Sequence, residues 1–241
     1  MIKKITPCPI IESIIQVNCA FTVDHDVVVG LIYSLLQKPE GNQLQIEKLP
    51  ILNLPEEIRR TDPNLKDRPW YKINCGEYFI LVGLFGVAFG ITPPYKGWDE
   101  FKLFSGKVFE ILKGNVIKEV SSVSLKYLDF FPNINIFEKI NCEFCLNKKR
   151  ITAVPTIFRT ELPEDEFIKI IQITNGVHLR NQMLQIDNDG SLIEINIFTK
   201  NVSIDKFREV TEEAHTRQKN SFFELLSEEY LNESFIIEYN E

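Results

Sequence analysis

The sequence predicts an α+β fold. It should hold a mostly antiparallel sheet, curved or split in two, with three main helices, the last a long C-terminal helix packed on one sheet face. Three observations predict this. Stretches that alternate apolar and polar residues clearly outnumber stretches with helical spacing. Most links between them are too short for the crossover that a parallel pair needs. Residues 203–231 carry one long helical pattern. With 241 residues, 44% of them hydrophobic and 25% charged, the chain can bury a sizeable core. It is expected as a single unit over 1–241. A break near Pro132 divides it into 1–131 (strand, helix, strands, helix, strand) and 132–241 (antiparallel strands plus the long helix).

Residues 10–21 alternate, with Ile11, Ile15, Val17, Cys19 and Phe21 on one face and Glu12, Gln16 and Asn18 on the other, as in a half-buried strand. Asp24 or Asp26 can cap a helix carrying Val28, Leu31, Ile32 and Leu35, which Pro39 and Gly41 end. Residues 39–69 hold five prolines and predict an irregular excursion with one short strand near Leu44–Leu49. Residues 70–91 predict a hairpin or short meander turning at Cys75-Gly76. After Pro93-Pro94 comes a helix on Trp98, Phe101, Phe104, Val108 and Ile111, with Gly114 placed to stop it. Residues 120–131 predict a strand with Val123, Leu125, Tyr127 and Phe131 on one face and Lys126 on the other.

Further strands are expected at 136–145, 151–160, 166–175, 181–187 and 191–199, with Asp187-Asn188-Asp189-Gly190 as a hairpin turn. The final helix should bury Phe207, Val210, Ala214, Phe222 and Leu225 against Ile193, Ile195 and Ile197. Its other side, with Glu209, Glu212, Glu213, Lys219 and Glu228, should be solvated.

The composition narrows the function classes. A net charge of −7 disfavours general nucleic-acid binding, which rests on a basic footprint; Lys148-Lys149-Arg150 is the single compact basic run. No apolar run is long enough to span a bilayer, and no secretion signal follows Lys3 and Lys4, so a cytoplasmic protein without membrane contact is expected. Five scattered cysteines do not form a disulfide framework. Cys142-Glu143-Phe144-Cys145 is a CxxC, but no second ligand pair accompanies it, so no metal site is predicted. No GxSxG, P-loop, GxGxxG or HExxH motif is present, so no catalytic residue and no cofactor are assigned.

Five residues stand out as candidates for contact with a ligand or partner: Glu12, Lys126, Tyr127, Asp129 and His215. His215 falls at the edge of the last helix's apolar stripe, where a histidine either braces the core or meets a ligand. His25 and His178 sit at a helix start and near a turn. Glu12 lies mid-strand among apolar residues. It is either solvent-facing or a buried acid paired with Lys126 on another strand.

Four segments together resemble an uncharacterised, sporadically distributed prokaryotic family of similar length. They are Pro9-Ile10-Ile11-Glu12; Pro94-Tyr95-Lys96-Gly97-Trp98-Asp99-Glu100-Phe101; Val123-Ser124-Leu125-Lys126-Tyr127-Leu128-Asp129; and Ala214-His215 with Phe222. The chain departs from the family's Arg-Tyr-x-Asn, having Lys126-Tyr127-Leu128-Asp129 instead. The resemblance brings no activity with it. The family's patchy distribution implies a setting in phage defence or mobile elements. The leading expectation is a non-catalytic recognition or adaptor protein for a protein partner or small ligand. The alternatives are an enzyme built around His215 and Tyr127, with Glu12 or Asp129 as acid, and a nucleic-acid-binding subunit of a defence complex. The oligomeric state stays open.

Overall fold

The computed structural model describes residues 2–36, 44–151 and 155–239. The N-terminal strand β1 (Ile2–Thr6) stands outside the main sheet. β2 (Ile10–Phe21) follows, burying Ser13, Ile15, Val17 and Cys19. Then come α1 (His25–Leu36), β3 (Gln45–Lys48), the short α2 (Glu56–Thr61), and a meander of β4 (Pro69–Cys75), β5 (Tyr78–Gly83) and β6 (Gly86–Ile91). α3 (Trp98–Asn115) leads into the long β7 (Ile117–Pro132). A two-stranded ribbon, β8 (Cys145–Leu146) and β9 (Lys149–Arg150), precedes β10 (Ile157–Glu164), β11 (Phe167–Asn181) and β12 (Ile186–Lys200). α4 (Phe207–Leu225), α5 (Glu228–Ser234) and β13 (Ile236–Tyr239) close the described chain.

Nine strands make one antiparallel sheet in the order β10-β11-β12-β7-β2-β6-β5-β4-β3. β7 pairs with β12 on one side and β2 on the other, so residues before and after Pro132 share that sheet. The strands bury alternate residues on one face: Ile15 and Val17, Val123 and Leu125, Ile193, Ile195 and Ile197, Phe89, Ile80 and Ile73. α3 and α4 cover that face. Phe207 of α4 stacks on Phe109 of α3 at 4.0 Å and meets Phe89 of β6 at 6.2 Å, and Phe222 lies 6.5 Å from Phe131 of β7. The α+β class, the antiparallel sheet and the long helix packed on it are thus as the sequence predicts. No helix among the described residues is long and apolar enough to cross a membrane.

Local details differ. Asp187–Gly190 is not a turn. The chain turns at residues 182–185, and Asp187 and Asp189 lie in β12 with both carboxylates on the ring of His178 opposite. Gly190 serves close approach, since a Cβ there would stand 2.4 Å from the carbonyl of Phe131. Residues 136–144 form a 3-10 turn and a loop rather than a strand, apart from one isolated bridge between Ile140 and Leu226; Ile136, Phe137 and Ile140 are buried in the core. Pro39 and Gly41 lie outside the described residues. α2 is a helix inside the proline-rich excursion. α3 runs past Gly114 to Asn115, and its buried stripe is Trp98, Phe101, Ser105, Val108, Phe109 and Leu112, with Phe104 and Ile111 only partly covered.

The terminal helix breaks at Leu226, which is extended and buried at 1% exposure, and Ser227 restarts the chain as α5 by accepting a bond from the Tyr230 amide at 3.2 Å. α4 buries Phe207, Thr211, Ala214, Gln218, Ser221 and Phe222, while Val210 and Leu225 are half-buried. The stripe is turned toward Gln218. That turn brings Lys219, expected in solvent, to a half-buried position.

Candidate functional site

A cavity of about 570 Å³ opens where four segments meet: β1 with the chain after it, the turn before α3, the end of β7, and the middle of α4. Its volume falls within the ~300–1,000 Å³ of small-molecule sites. Three of the five sequence candidates, Tyr127, Asp129 and His215, line it.

Strand parity sets the floor. Val123, Leu125 and Tyr127 face the helices, so Asp129, two residues on, must face them too. It is buried at 1% exposure, and its Oδ2 has no hydrogen-bond partner among the described residues. Burial pushes its carboxyl up to about 8, so the group is chiefly a neutral acid at pH 7. Such a group can donate a hydrogen bond as well as accept one. Tyr127 lies beside it, fully buried, its hydroxyl 2.9 Å from that of Tyr95. Desolvation raises both phenols well above their ordinary value, so both stay protonated.

The turn before α3 supplies one wall. Gly97, at φ 118°, takes a backbone conformation that a side chain would strain, and so swings the chain from Tyr95 into the helix. Trp98 then stacks flat on His215, with centroids 4.3 Å apart and planes within 2°. The indole N–H donates to Glu212 at 3.2 Å, and Lys102 reaches the same carboxylate at 2.9 Å. His215 makes no hydrogen bond among the described residues. Burial, reinforced by the Lys219 charge, pushes its imidazole down to about 4, so the ring is neutral at pH 7.

Charge collects at the rim. With Asp129 and His215 neutral, the lining carries Lys3, Lys4, Lys96 and Lys219 against the single carboxylate of Asp99. Lys4 pairs with Glu238 at 3.0 Å, Lys96 with Glu77 at 3.4 Å, and Asp99 with Lys102 at 3.5 Å. Lys3 and Lys219 make no ion pair among the described residues. Desolvation lowers the Lys219 ammonium, Asp99 opposes that, and Lys3 adds to it. A second, more apolar hollow of about 340 Å³ lies across the chain at Pro9, bordered by Phe130, Ile134, Leu184, Ile186 and Phe235.

Glu12 and Lys126 are elsewhere. Even parity turns Lys126 to the opposite sheet face, where its Nζ lies 2.6 Å from Glu12 and 3.9 Å from Glu194. Glu12 and Glu194 both register with Leu128, one from each side, so Lys126 in the next row reaches both. The pair is half-buried and forms a cross-strand clasp. The Lys148-Lys149-Arg150 run sits exposed on the β8–β9 ribbon. Cys142 and Cys145 are both free thiols, and among the described residues no three His, Cys, Asp or Glu groups could hold a metal ion.

Sequence reasoning missed Tyr95, Trp98, Gln218, Lys219 and Lys3 as cavity residues. One signal was present. Gln218, Lys219 and Phe222 follow His215 at spacings of three, four and seven, which share a helix face. The contribution of Tyr95, Trp98 and Lys3 arises only from long-range packing.

Compared with known family models, curated proteins and solved structures, this chain matches none. The resemblance drawn from its motifs therefore gains no support, and the functional reading rests on the cavity.

Proposed function

We propose that this chain is a non-catalytic recognition protein that takes a small ligand into the cavity between β7 and α4. One observation carries the reading. A buried carboxyl whose Oδ2 has no hydrogen-bond partner among the described residues, Asp129, lines a cavity roomy enough for a small molecule. An unpaired buried polar group costs about 1–3 kcal/mol, a cost that a ligand's hydrogen bond would offset. The aromatic wall adds contact area, and Trp98, Tyr95 and Tyr127 are each held by a partner, so little ordering would be needed on binding. A defence or adaptor setting has only the motif resemblance behind it and adds nothing to this reading.

The test is a thermal-shift screen of a chemically broad metabolite library, with Asp129→Leu, which leaves no donor or acceptor at that place, in parallel. Ligands should raise the melting temperature of the native chain, and Asp129→Leu should weaken their binding about tenfold, the loss of one good hydrogen bond. A screen in which nothing binds would refute the reading.

An enzymatic reading shares the cavity. It is favoured by the neutral imidazole of His215, unbonded among the described residues and 6.3 Å from the Tyr127 ring, in a cavity also lined by a carboxyl whose own titration is driven the opposite way. Incubating each bound compound with the protein separates the two. Conversion that is lost in His215→Gln while binding persists would establish catalysis.

A further inference from the structure

We infer that the ligand is an organic anion, a phosphate ester or a carboxylate, whose charged end lies between Lys3, Lys219 and the N-terminus of α3 and whose uncharged polar end meets Asp129. This rests on the proposed recognition role and names the chemistry of what is recognised.

Two sets of observations, at opposite ends of one cavity, carry it. At the rim, Lys219 projects from the half-buried face of α4, and Lys3 sits where the β1–β13 pairing slips, between the matched pairs Ile2–Tyr239 and Lys4–Glu238. Such an irregularity re-aims a side chain that regular pairing would fix. Both lysines line the same cavity, desolvation and then the Lys3 charge lower the Lys219 ammonium while Asp99 raises it, and neither lysine makes an ion pair among the described residues. Their neighbours Lys4 and Lys96 do have partners, Glu238 and Glu77. A shared anion between Lys3 and Lys219 would turn a repulsion into two charge-assisted bonds.

The start of the 18-residue α3 opens on the same space through Gly97 and Trp98, and no side chain caps it. The free amides and dipole of that end favour negative charge. Asp99, in its first turn, occupies part of that field and lines the same cavity; its side chain is 96% exposed and shared with Lys102 at 3.5 Å.

At the floor the requirement is opposite. Asp129 is buried with its Oδ2 unpartnered among the described residues, so an anionic group there would give up its hydration for a single neutral carboxyl, a costly exchange. An uncharged hydroxyl, amide or ring nitrogen suits the floor. The ligand is thus charged at one end only, and its length is set by a cavity of about 570 Å³.

The experiment compares matched probes on the native chain, on the double variant Lys3→Gln/Lys219→Gln and on Asp129→Asn, by calorimetric titration at two salt concentrations. The library arm contains phosphate monoesters, carboxylates, and the neutral alcohols or amides corresponding to each. The expected result is binding of an anionic series and not of its neutral counterparts. The double variant should lose at least about tenfold in affinity, the native affinity should fall with salt, and the double variant should retain the native melting temperature. Whether the phosphate or the carboxylate series binds assigns the anion. Binding by neutral or cationic compounds, or affinity unchanged in the double variant, would overturn the inference while leaving a recognition protein. Absence of binding by every class would overturn both.

Discussion

Two histidine–tryptophan pairs occur in this molecule, each with ring centroids 4.3 Å apart. His25 meets Trp70 edge-on at 80°, and His215 lies flat on Trp98. The difference comes from the next helix. α2 lays Arg59 over the Trp70 ring at 4.1 Å and anchors that guanidinium on the Leu54 carbonyl at 3.0 Å, so the corner is filled. α4 instead offers Gln218 and Lys219, which flank open space, and His215 becomes a wall. Burial lowers both imidazoles, and His215 lines the cavity of about 570 Å³ whereas His25 does not. The same two side chains at the same separation stand either under a packed guanidinium or beside open space, according to what the third element supplies.

Substitution of the tryptophans should break the symmetry most. Trp70→Ala, at 1% exposure under an arginine, should cost ~3–5 kcal/mol because the void cannot fill. Trp98→Ala opens into an existing cavity, so it should lose nearer the transfer cost alone, about 1.5–3 kcal/mol. Urea denaturation of the two variants measures both. Equal losses would mean that the cavity wall is packed as tightly as the filled corner.

The pH dependence sharpens the cavity's side of the comparison. Asp129 has a folded value of about 8 against an ordinary 3.8, so its contribution to stability is full below pH 4 and is lost as pH rises to 8. His215, at about 4 against 6.5, contributes above pH 6.5 and loses that as pH falls to 4. Each limb has a slope of about 1.4 kcal/mol per pH unit, so the two oppose one another between pH 4 and 6.5. Relative to the native chain, Asp129→Asn should gain stability steadily from pH 4 to 8. His215→Gln should gain as pH falls from 6.5 to 4. A native–variant difference that stays constant over those ranges would place the group in water rather than in the cavity wall.

Titration of the three histidines by NMR is a gentler test. His178 should titrate above its ordinary value because Asp189 and Asp187 hold its ring, and His25 and His215 should titrate below it because they are buried. The smallest effect belongs to the far sheet face. Glu12→Gln weakens a partly exposed clasp with Lys126 and should cost ~0.2–1 kcal/mol, leaving ligand affinity unchanged. A loss of affinity in Glu12→Gln would show that the two sheet faces are coupled.

Some of the site was legible in the sequence. Parity along residues 123–131 places Tyr127 and Asp129 on one face and Lys126 on the other, and helical spacing places His215 beside Phe222. Glu12 entered the candidate set as a mid-strand acid and Asp129 through the Lys126-Tyr127-Leu128-Asp129 motif, and one-dimensional pattern could not tell which acid the helices would cover. The turn expected at Asp187–Gly190 failed because its residue types suit φ > 0, whereas in the folded chain they bind His178 and let Phe131 approach.

What the sequence alone determined is the set of local periods. Alternation makes the strands, helical spacing makes α1, α3 and α4, and short links force antiparallel pairing, because these follow from backbone geometry within a few residues. Only the tertiary structure decided the cavity. Lys3, Tyr95, Asp129 and His215 come from four separated segments, and their meeting depends on register, on the slip in β1 and on the rotation of α4 about its axis. Those are set by how whole faces pack, a balance summed over the entire core, and no local stretch of residues encodes it.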